Sequence, residues 1–486
     1  MTTATAGARS SQASDQWVAL NAWNQLAPRT YNRFVLCFEV DNERHLPAIA
    51  YLRFCINEMS QKRPVLRSLL RVDVPIALIA ASQCNIPLEV HDIRHKFGRT
   101  YAHLKETGFP ASPFINPVFE VPAGDVVAAL ILRIYVIDGG LLLGIHLHHS
   151  LGDGAAIDLV ISWLSAATRG DRYDTNAISL SSPFCVDQYP PEENANDHRL
   201  APDYIKRNFP ERQLLESPFV YFGGPEKSTG KIFVFDVATL NTLKNHIQKL
   251  QNVKRLSTTV VLIAYIWAHA TKARLAACRQ ARGGGRAARG QANGEGERSK
   301  IITIVDTRKR VFDGIGATQY FGNASEAALG SLPITDLLKM CERRTDADSG
   351  VLPENVGAVI RCIQESIKGV NTEFVRKRYE VYSRLLDPQK LAYDAAPDDK
   401  LSFMFNSWRY FGMNDEQEWR IPGLRGPGYP DRIRRAGAQW NWPAAMLIPG
   451  RPDSEEVEVM ITIEERAMEL LLKDERFTSL TTRIID

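Results

Sequence analysis

The residues best suited to chemistry lie in one heptapeptide, His148-His149-Ser150-Leu151-Gly152-Asp153-Gly154. An unperturbed imidazole titrates near ~6.5, so at neutral pH it can take a proton from an attacking group. Asp153 follows His149 by four residues, close enough to fold back and hold a histidine ring. His146 and His148 have a spacing that also suits a metal. The metallohydrolase run HxHxDH needs an aspartate where Ser150 stands, so no metal is expected. A lone histidine at a hairpin end is more often an ordinary polar residue. The whole set, directly after an apolar strand, argues for a working site.

Two elements must position that set. Val126 to Ile137 reads as a strand, Asp138-Gly139-Gly140 as a turn, and Leu141 to Leu147 as a second strand. After the motif, Ile157, Val160, Ile161 and Leu164 recur at i, i+3, i+4 and i+7, one face of a helix. The cluster therefore sits where a strand stops and a helix starts, exposed yet held by rigid elements. Strand alternation puts His146 and His148 on one face, and His149 on the other with Ile145 and Leu147. Gly154 lets backbone pack tightly at the turn.

HHSLGDG resembles the HHxxxDG signature of the coenzyme-A-dependent acyltransferase superfamily, whose fold is that of chloramphenicol acetyltransferase. The chain is most similar to the BAHD-type branch, and within it to the fungal trichothecene O-acetyltransferase-like group. Peptide-synthetase condensation domains share the heptapeptide, so other segments must separate the two. Asp306-Thr307-Arg308-Lys309-Arg310 and Tyr320-Phe321-Gly322-Asn323-Ala324 resemble the D-x-R-x-R and Y-F-G-N-A of free-standing acyltransferases. Ser257, Leu262, Ala264, Trp267, Ala273 and Arg274 are similar to a helix signature of the same family. Pro64-Val65-Leu66 resembles another of its segments. Two departures stand out. Trp23-Asn24 occupies the place of an aspartate, and no DFGWG follows Ser407-Trp408, although Gly426 to Arg434 resembles what normally comes after it.

The resemblance implies an α/β fold of two chloramphenicol acetyltransferase-like domains, mixed sheets flanked by helices, with the active-site channel at their interface. It implies transfer of an acyl group, acetyl first among them, from acyl-coenzyme A to a hydroxyl of a secondary metabolite. The alternative is a condensation-type enzyme acting on carrier-bound thioesters. His149 is the implied general base in a ternary complex. Asp153 is implied to turn inward and pair with an arginine, Arg308 first and Arg310 second. Trp408 and Ser407 are candidate oxyanion donors, and Ser257 and Ser407 candidate coenzyme A contacts. Each has a plainer reading too: Trp408 as a core aromatic, Ser257 as a helix cap. The implied partners are acyl-coenzyme A as co-substrate and a hydroxylated small molecule, with no permanently bound cofactor and a monomeric protein.

Length and composition agree. At 486 residues the chain exceeds one compact core, so two domains are expected. A net charge of +3 gives no basic excess that would point to nucleic acid. No apolar run approaches the roughly 20 residues of a membrane span. Seven cysteines without metal-like spacing suggest free thiols in a reducing compartment, with the cytoplasm expected. The expected layout is a disordered leader over 1–16, an N-terminal domain over 17–185, a crossover linker over 186–230, and a C-terminal domain over 231–486. Residues 279–299, rich in glycine and arginine, are expected to be a disordered insertion.

Overall fold

The computed structural model describes residues 17–73, 76–121, 123–171, 197–218, 227–281, 297–314, 317, 320–342, 354–395, 399–437 and 442–486. The expected leader, most of the insertion and parts of the linker lie outside these residues.

The hairpin that carries the motif is formed by Leu130–Ile137 and Gly140–His148. Gly139 takes φ +78°, and a Cβ on Gly140 would lie 2.2 Å from Tyr101 Cδ2, so the turn needs both glycines. Every residue of Gly140–His148 is buried, as in a strand covered on both faces. Leu141, Leu143, Ile145 and Leu147 face one core, and Leu142 joins Tyr135, Ile137 and Phe119 in another. The expected strand over Val126–Ile137 is broken at Ala129. Val126–Ala128 instead pairs with Leu69–Arg71 in a separate four-stranded sheet.

The hairpin lies within a five-stranded mixed sheet. Its order is Arg432–Arg435, Tyr31–Glu39, Gly140–His148, Leu130–Ile137 and Leu88–Asp92, with only the last pair parallel. Helix Gly154–Arg169 packs on it through Ile157, Val160, Ile161 and Leu164, all fully buried. Burying each such side chain contributes about 1.5–3 kcal/mol, which fixes the helix and hence the motif at its N-terminus. Helix His45–Lys62 lies against the same core through Leu52, Ile56 and Met59.

The second sheet has seven strands in the order Ser325–Pro333, Arg298–Asp306, Ser402–Ser407, Ala444–Leu447, Glu456–Glu464, Ser228–Asp236 and Thr481–Ile485. The two pairings made by Ser402–Ser407 are parallel and the rest antiparallel. Helix Thr258–Ala281 is buried almost all round against it, with Val356–Gly369 and Glu465–Leu472 alongside. Helix Val356–Gly369 ends at its glycine, and a second helix, Thr372–Tyr382, begins under an Asn371 cap.

Three expected boundaries differ from the structure. Within the segment read as a linker, Pro202–Asn208 is helical and Arg212–Leu214 pairs with Leu391–Tyr393. At the margins of the stretch expected as an insertion, the long helix continues to Ala281 and a strand begins at Arg298. Arg432–Arg435, from the expected C-terminal domain, completes the N-terminal sheet by pairing with Phe34–Cys37.

Candidate active site

His149 lies one residue beyond the strand, half-buried. Its backbone N–H donates to the Thr30 carbonyl at 2.7 Å, which holds the chain as it leaves the sheet. Its Nδ1 is 3.1 Å from Asn323 Oδ1, and its carbonyl accepts from Asn323 Nδ2 at 2.7 Å. Asn24 Oδ1 accepts from both the backbone N–H and the Nδ2 of Asn323, each at 2.9 Å. Those bonds fix which end of the Asn323 amide donates. Its Oδ1 can then only accept, so the His149 proton sits on Nδ1 and Nε2 keeps a free lone pair. Burial pushes the His149 pKa below its usual value, partly offset by its own backbone carbonyl, Asp153 and Asn323. The ring is thus a neutral base at neutral pH.

Asp153 does not hold the ring, contrary to the expectation from spacing. It caps the helix that follows, accepting from the Ala155 and Ala156 N–H groups at 3.1 and 3.3 Å. Arg308 grips it with two nitrogens, at 2.8 Å to Oδ1 and 3.1 Å to Oδ2. The Ala324 N–H and Ser325 Oγ each donate to Oδ2 at 3.0 Å. Burial pushes the Asp153 pKa up, but the guanidinium and these N–H groups outweigh it and hold the carboxyl below its usual range. Arg308 also donates to the Gly322 carbonyl at 2.6 Å and to Asp306 at 3.1 Å. Arg310, the second choice, turns away and donates to the Ile367 and Val370 carbonyls.

His146 and His148 make none of these contacts. His146 and His148 are fully buried, and burial foremost brings both pKa values down to about 3. His148 packs its ring edge-on to Tyr31 and accepts the Ser150 N–H at 3.2 Å. Among the described residues no group of three His, Cys, Asp or Glu side chains could hold a metal ion.

His149 opens onto a cavity of about 300 Å³ between the two sheets. Its wall includes Asp153, Arg308 and Asn323, together with Ile304, Met404, Ser407 and Trp408 from the seven-stranded side. Trp408 stacks on Phe34, with ring centres 4.4 Å apart, and its backbone N–H donates to the Leu447 carbonyl. Ser407 is exposed on the same wall. Ser257 does not line this cavity. Its Oγ accepts the Val260 N–H at 3.2 Å and caps the long helix, leaving the side chain otherwise exposed. Gly154 is required by a neighbour: a Cβ there would lie 2.4 Å from Phe411 Cε2, another cavity residue.

Sequence reasoning gave no role to Asn323 or Asn24. Asn323 was visible inside Tyr320-Phe321-Gly322-Asn323-Ala324. Asn24 stood as a departure at an aspartate position, yet its Oδ1 supplies the acceptor that an aspartate would. In the loop after Trp408, where DFGWG is absent, Asp158 accepts from the Gly412 N–H and from Gln417 Nε2, each at 2.7 Å.

An eremophilane O-acetyltransferase of Penicillium roqueforti is 23% identical over 65% of this chain and 70% of its own. A putrescine hydroxycinnamoyltransferase of Oryza sativa is 25% identical over 72% of this chain and 70% of its own. The crystal structure of Fusarium sporotrichioides TRI101 complexed with coenzyme A and T-2 superposes with a TM-score of 0.73 at 20% identity, covering 97% of this chain and all of that one. That likeness shows a common two-domain fold. The model of the Transferase family matches residues 129–478, well over half of the chain, and the protein belongs to that family, the BAHD-type acyltransferases.

Proposed function

We propose that this protein transfers an acyl group, acetyl first among them, from acyl-coenzyme A to a hydroxyl of a secondary metabolite. The observation that carries the reading is the free Nε2 of His149, its tautomer set by Asn323, in a cavity between the two sheets. The acetyltransferase and acyltransferase names of the relatives support the same reaction class. The acceptor oxygen attacks the thioester carbonyl carbon as its proton passes to Nε2. The tetrahedral intermediate then expels the thiolate, which takes the proton back from Nε2 and leaves as coenzyme A. The products are the ester and the free thiol, and the histidine ends neutral.

Trp408 Nε1 and Ser407 Oγ are the donors proposed for the oxyanion. Asp153 acts through structure: with Arg308 it ties the helix start to Ala324 and Ser325, next to Asn323. Ser257, exposed at a helix start, is the proposed contact for the nucleotide end of coenzyme A. No resident cofactor is needed. Among the described residues no helix is long and apolar enough to cross a membrane. A cytosolic monomer is the setting we propose.

Incubation with labelled acetyl-coenzyme A tests the mechanism. With a hydroxylated acceptor, His149→Ala is expected to lower turnover by about 10²–10⁴-fold, the usual loss for a general base. Without acceptor, no label is expected on the protein. Stoichiometric label on the enzyme would replace the ternary complex with a covalent route, and full activity of His149→Ala would refute the assignment.

A further inference from the structure

Arg212 lies in the segment read from sequence as a linker, and the mechanism above does not use it. Strand Arg212–Leu214 pairs with Leu391–Tyr393, which places the arginine in the wall of the His149 cavity. The residue is only 6% exposed. Its guanidinium lies over the Tyr393 ring at 4.2 Å and also meets the side chain of that residue. An arginine has five N–H donors. Nε is enclosed without a hydrogen-bond partner, so the donors that can reach the cavity are those of the two Nη groups, one of which lies 3.8 Å from Glu326.

The carboxylates nearby are committed elsewhere. Glu326 is 3.8 Å from Arg212, beyond hydrogen-bond distance. Its Oε1 accepts from Trp23 Nε1 at 2.9 Å and its Oε2 from the Tyr382 hydroxyl at 3.0 Å. Glu211 is gripped by Arg378 through two bonds, at 2.6 and 2.9 Å. A buried guanidinium with donors to spare therefore borders a cavity whose adjoining wall is Trp23, Leu26, Ile304 and Leu391.

We infer that Arg212 selects the acceptor, donating to a neutral carbonyl oxygen of a hydroxylated ketone, lactone or ester. The inference rests on the acyl transfer proposed above and names the acceptor class. The charge balance favours a neutral oxygen. Burial pushes the Glu326 pKa up, but both of its oxygens accept from neutral donors, Trp23 and the Tyr382 hydroxyl, as a carboxylate's do. Arg212 and Arg378 then face Glu211 and Glu326, two cations against two anions. A carboxylate guest would leave a net buried negative charge, which is costly. A carbonyl adds none, and the apolar wall suits a compact hydrocarbon skeleton.

Three alcohols on one decalin skeleton test it: a hydroxydecalone, the hydroxydecalin with a methylene in place of the ketone, and the corresponding hydroxydecalin carboxylate. Calorimetry gives their affinities, and acetyl transfer from acetyl-coenzyme A gives kcat/KM. The full-length protein is expected to bind the hydroxydecalone at least about ten-fold more tightly than the methylene compound, as for a hydrogen bond from a charged donor. The carboxylate is expected to gain nothing. Arg212→Met should bring the ratio to within about two-fold. Arg212→Met combined with Glu326→Gln removes both charges and supplies a folded variant if the single change unfolds the chain. Absence of a ketone preference in the unaltered protein overturns the inference, as does tighter binding of the carboxylate or a preference that survives in the variants. An effect confined to the KM of acetyl-coenzyme A also overturns it, by placing Arg212 on the donor side. Failure of the acyl-transfer reading is distinct: no alcohol would be acetylated, whatever the binding ratio.

Discussion

Replacing Asp153 by asparagine separates a structural role from a catalytic one. The carboxylate accepts from two helix N–H groups, the Ala324 N–H, the Ser325 hydroxyl and two nitrogens of Arg308. An asparagine has one acceptor oxygen, so its NH₂ must face donors on one side. Arg308, 5% exposed, would lose its charge partner and one of its two bonds to residue 153, keeping one bond to the amide oxygen, the Gly322 carbonyl and the half-exposed Asp306. Breaking a buried pair in this way costs about 3–5 kcal/mol. At about 2–4 °C per kcal/mol for a unit of 150–250 residues, the Tm should fall by about 6–20 °C.

Activity should fall with it, because Ala324 and Ser325 adjoin the residue that holds the His149 ring. The pH dependence gives an independent check. The folded-state pKa of Asp153 is depressed, so its stabilisation is present above the unfolded value near ~3.9 and is lost as pH falls through the folded value. Asp153→Asn should remove that acid-side loss. Scanning calorimetry between pH 3 and 8, with acetyl transfer measured on the same samples, reads all three effects. Adding Arg308→Met should recover part of the stability, since the partner is then no longer an unpaired buried cation. Loss of activity with an unchanged Tm would refute the reasoning and make Asp153 a participant in the chemistry.

Asn323→Ala should lower kcat by about 10–100-fold, the equivalent of about 1.4–2.7 kcal/mol for a lost buried hydrogen bond, with the KM for acetyl-coenzyme A little changed. Asn323→Asp keeps an acceptor for Nδ1–H and adds a negative charge, so it should move the acid limb of the rate profile upward, an effect a merely structural residue would not produce. In the unaltered enzyme the acid limb of kcat/KM should lie below the ordinary histidine value of ~6.5, because burial lowers the His149 pKa and the base works only when neutral. A limb at or above that value, measured in constant-ionic-strength buffers, would contradict the environment described for His149.

The local part of the site was legible in the sequence. The hairpin, the turn glycines and the helix after the motif follow from period and composition within a few dozen residues. The pairing of Asp153 with Arg308 joins residues 155 apart, and only the likeness to a family brought it into view. The Asn323 clamp on His149 spans 174 residues, and its support from Asn24 spans 299, so neither leaves a periodic trace. A single amide in a loop looks like any polar residue until its partners are placed. Arg212 was hidden in a stretch whose prolines and charges read as a crossover. The strand Arg432–Arg435 escaped for a different reason: three of its four residues are arginines, and its partner is set by tertiary packing, not by its own pattern.

That short strand also orders events during synthesis. Tyr31–Glu39 is hydrogen-bonded on one side by Gly140–His148 and on the other by Arg432–Arg435. A ribosome adding about 5–20 residues per second makes the second partner roughly 20–80 s after the first strand has been completed. Throughout that interval the five-stranded sheet has a raw edge of apolar residues, Phe34 to Phe38, able to pair with another nascent chain. The hairpin that carries His149 can thus be assembled early, while its sheet is sealed only once Arg432–Arg435 has been made.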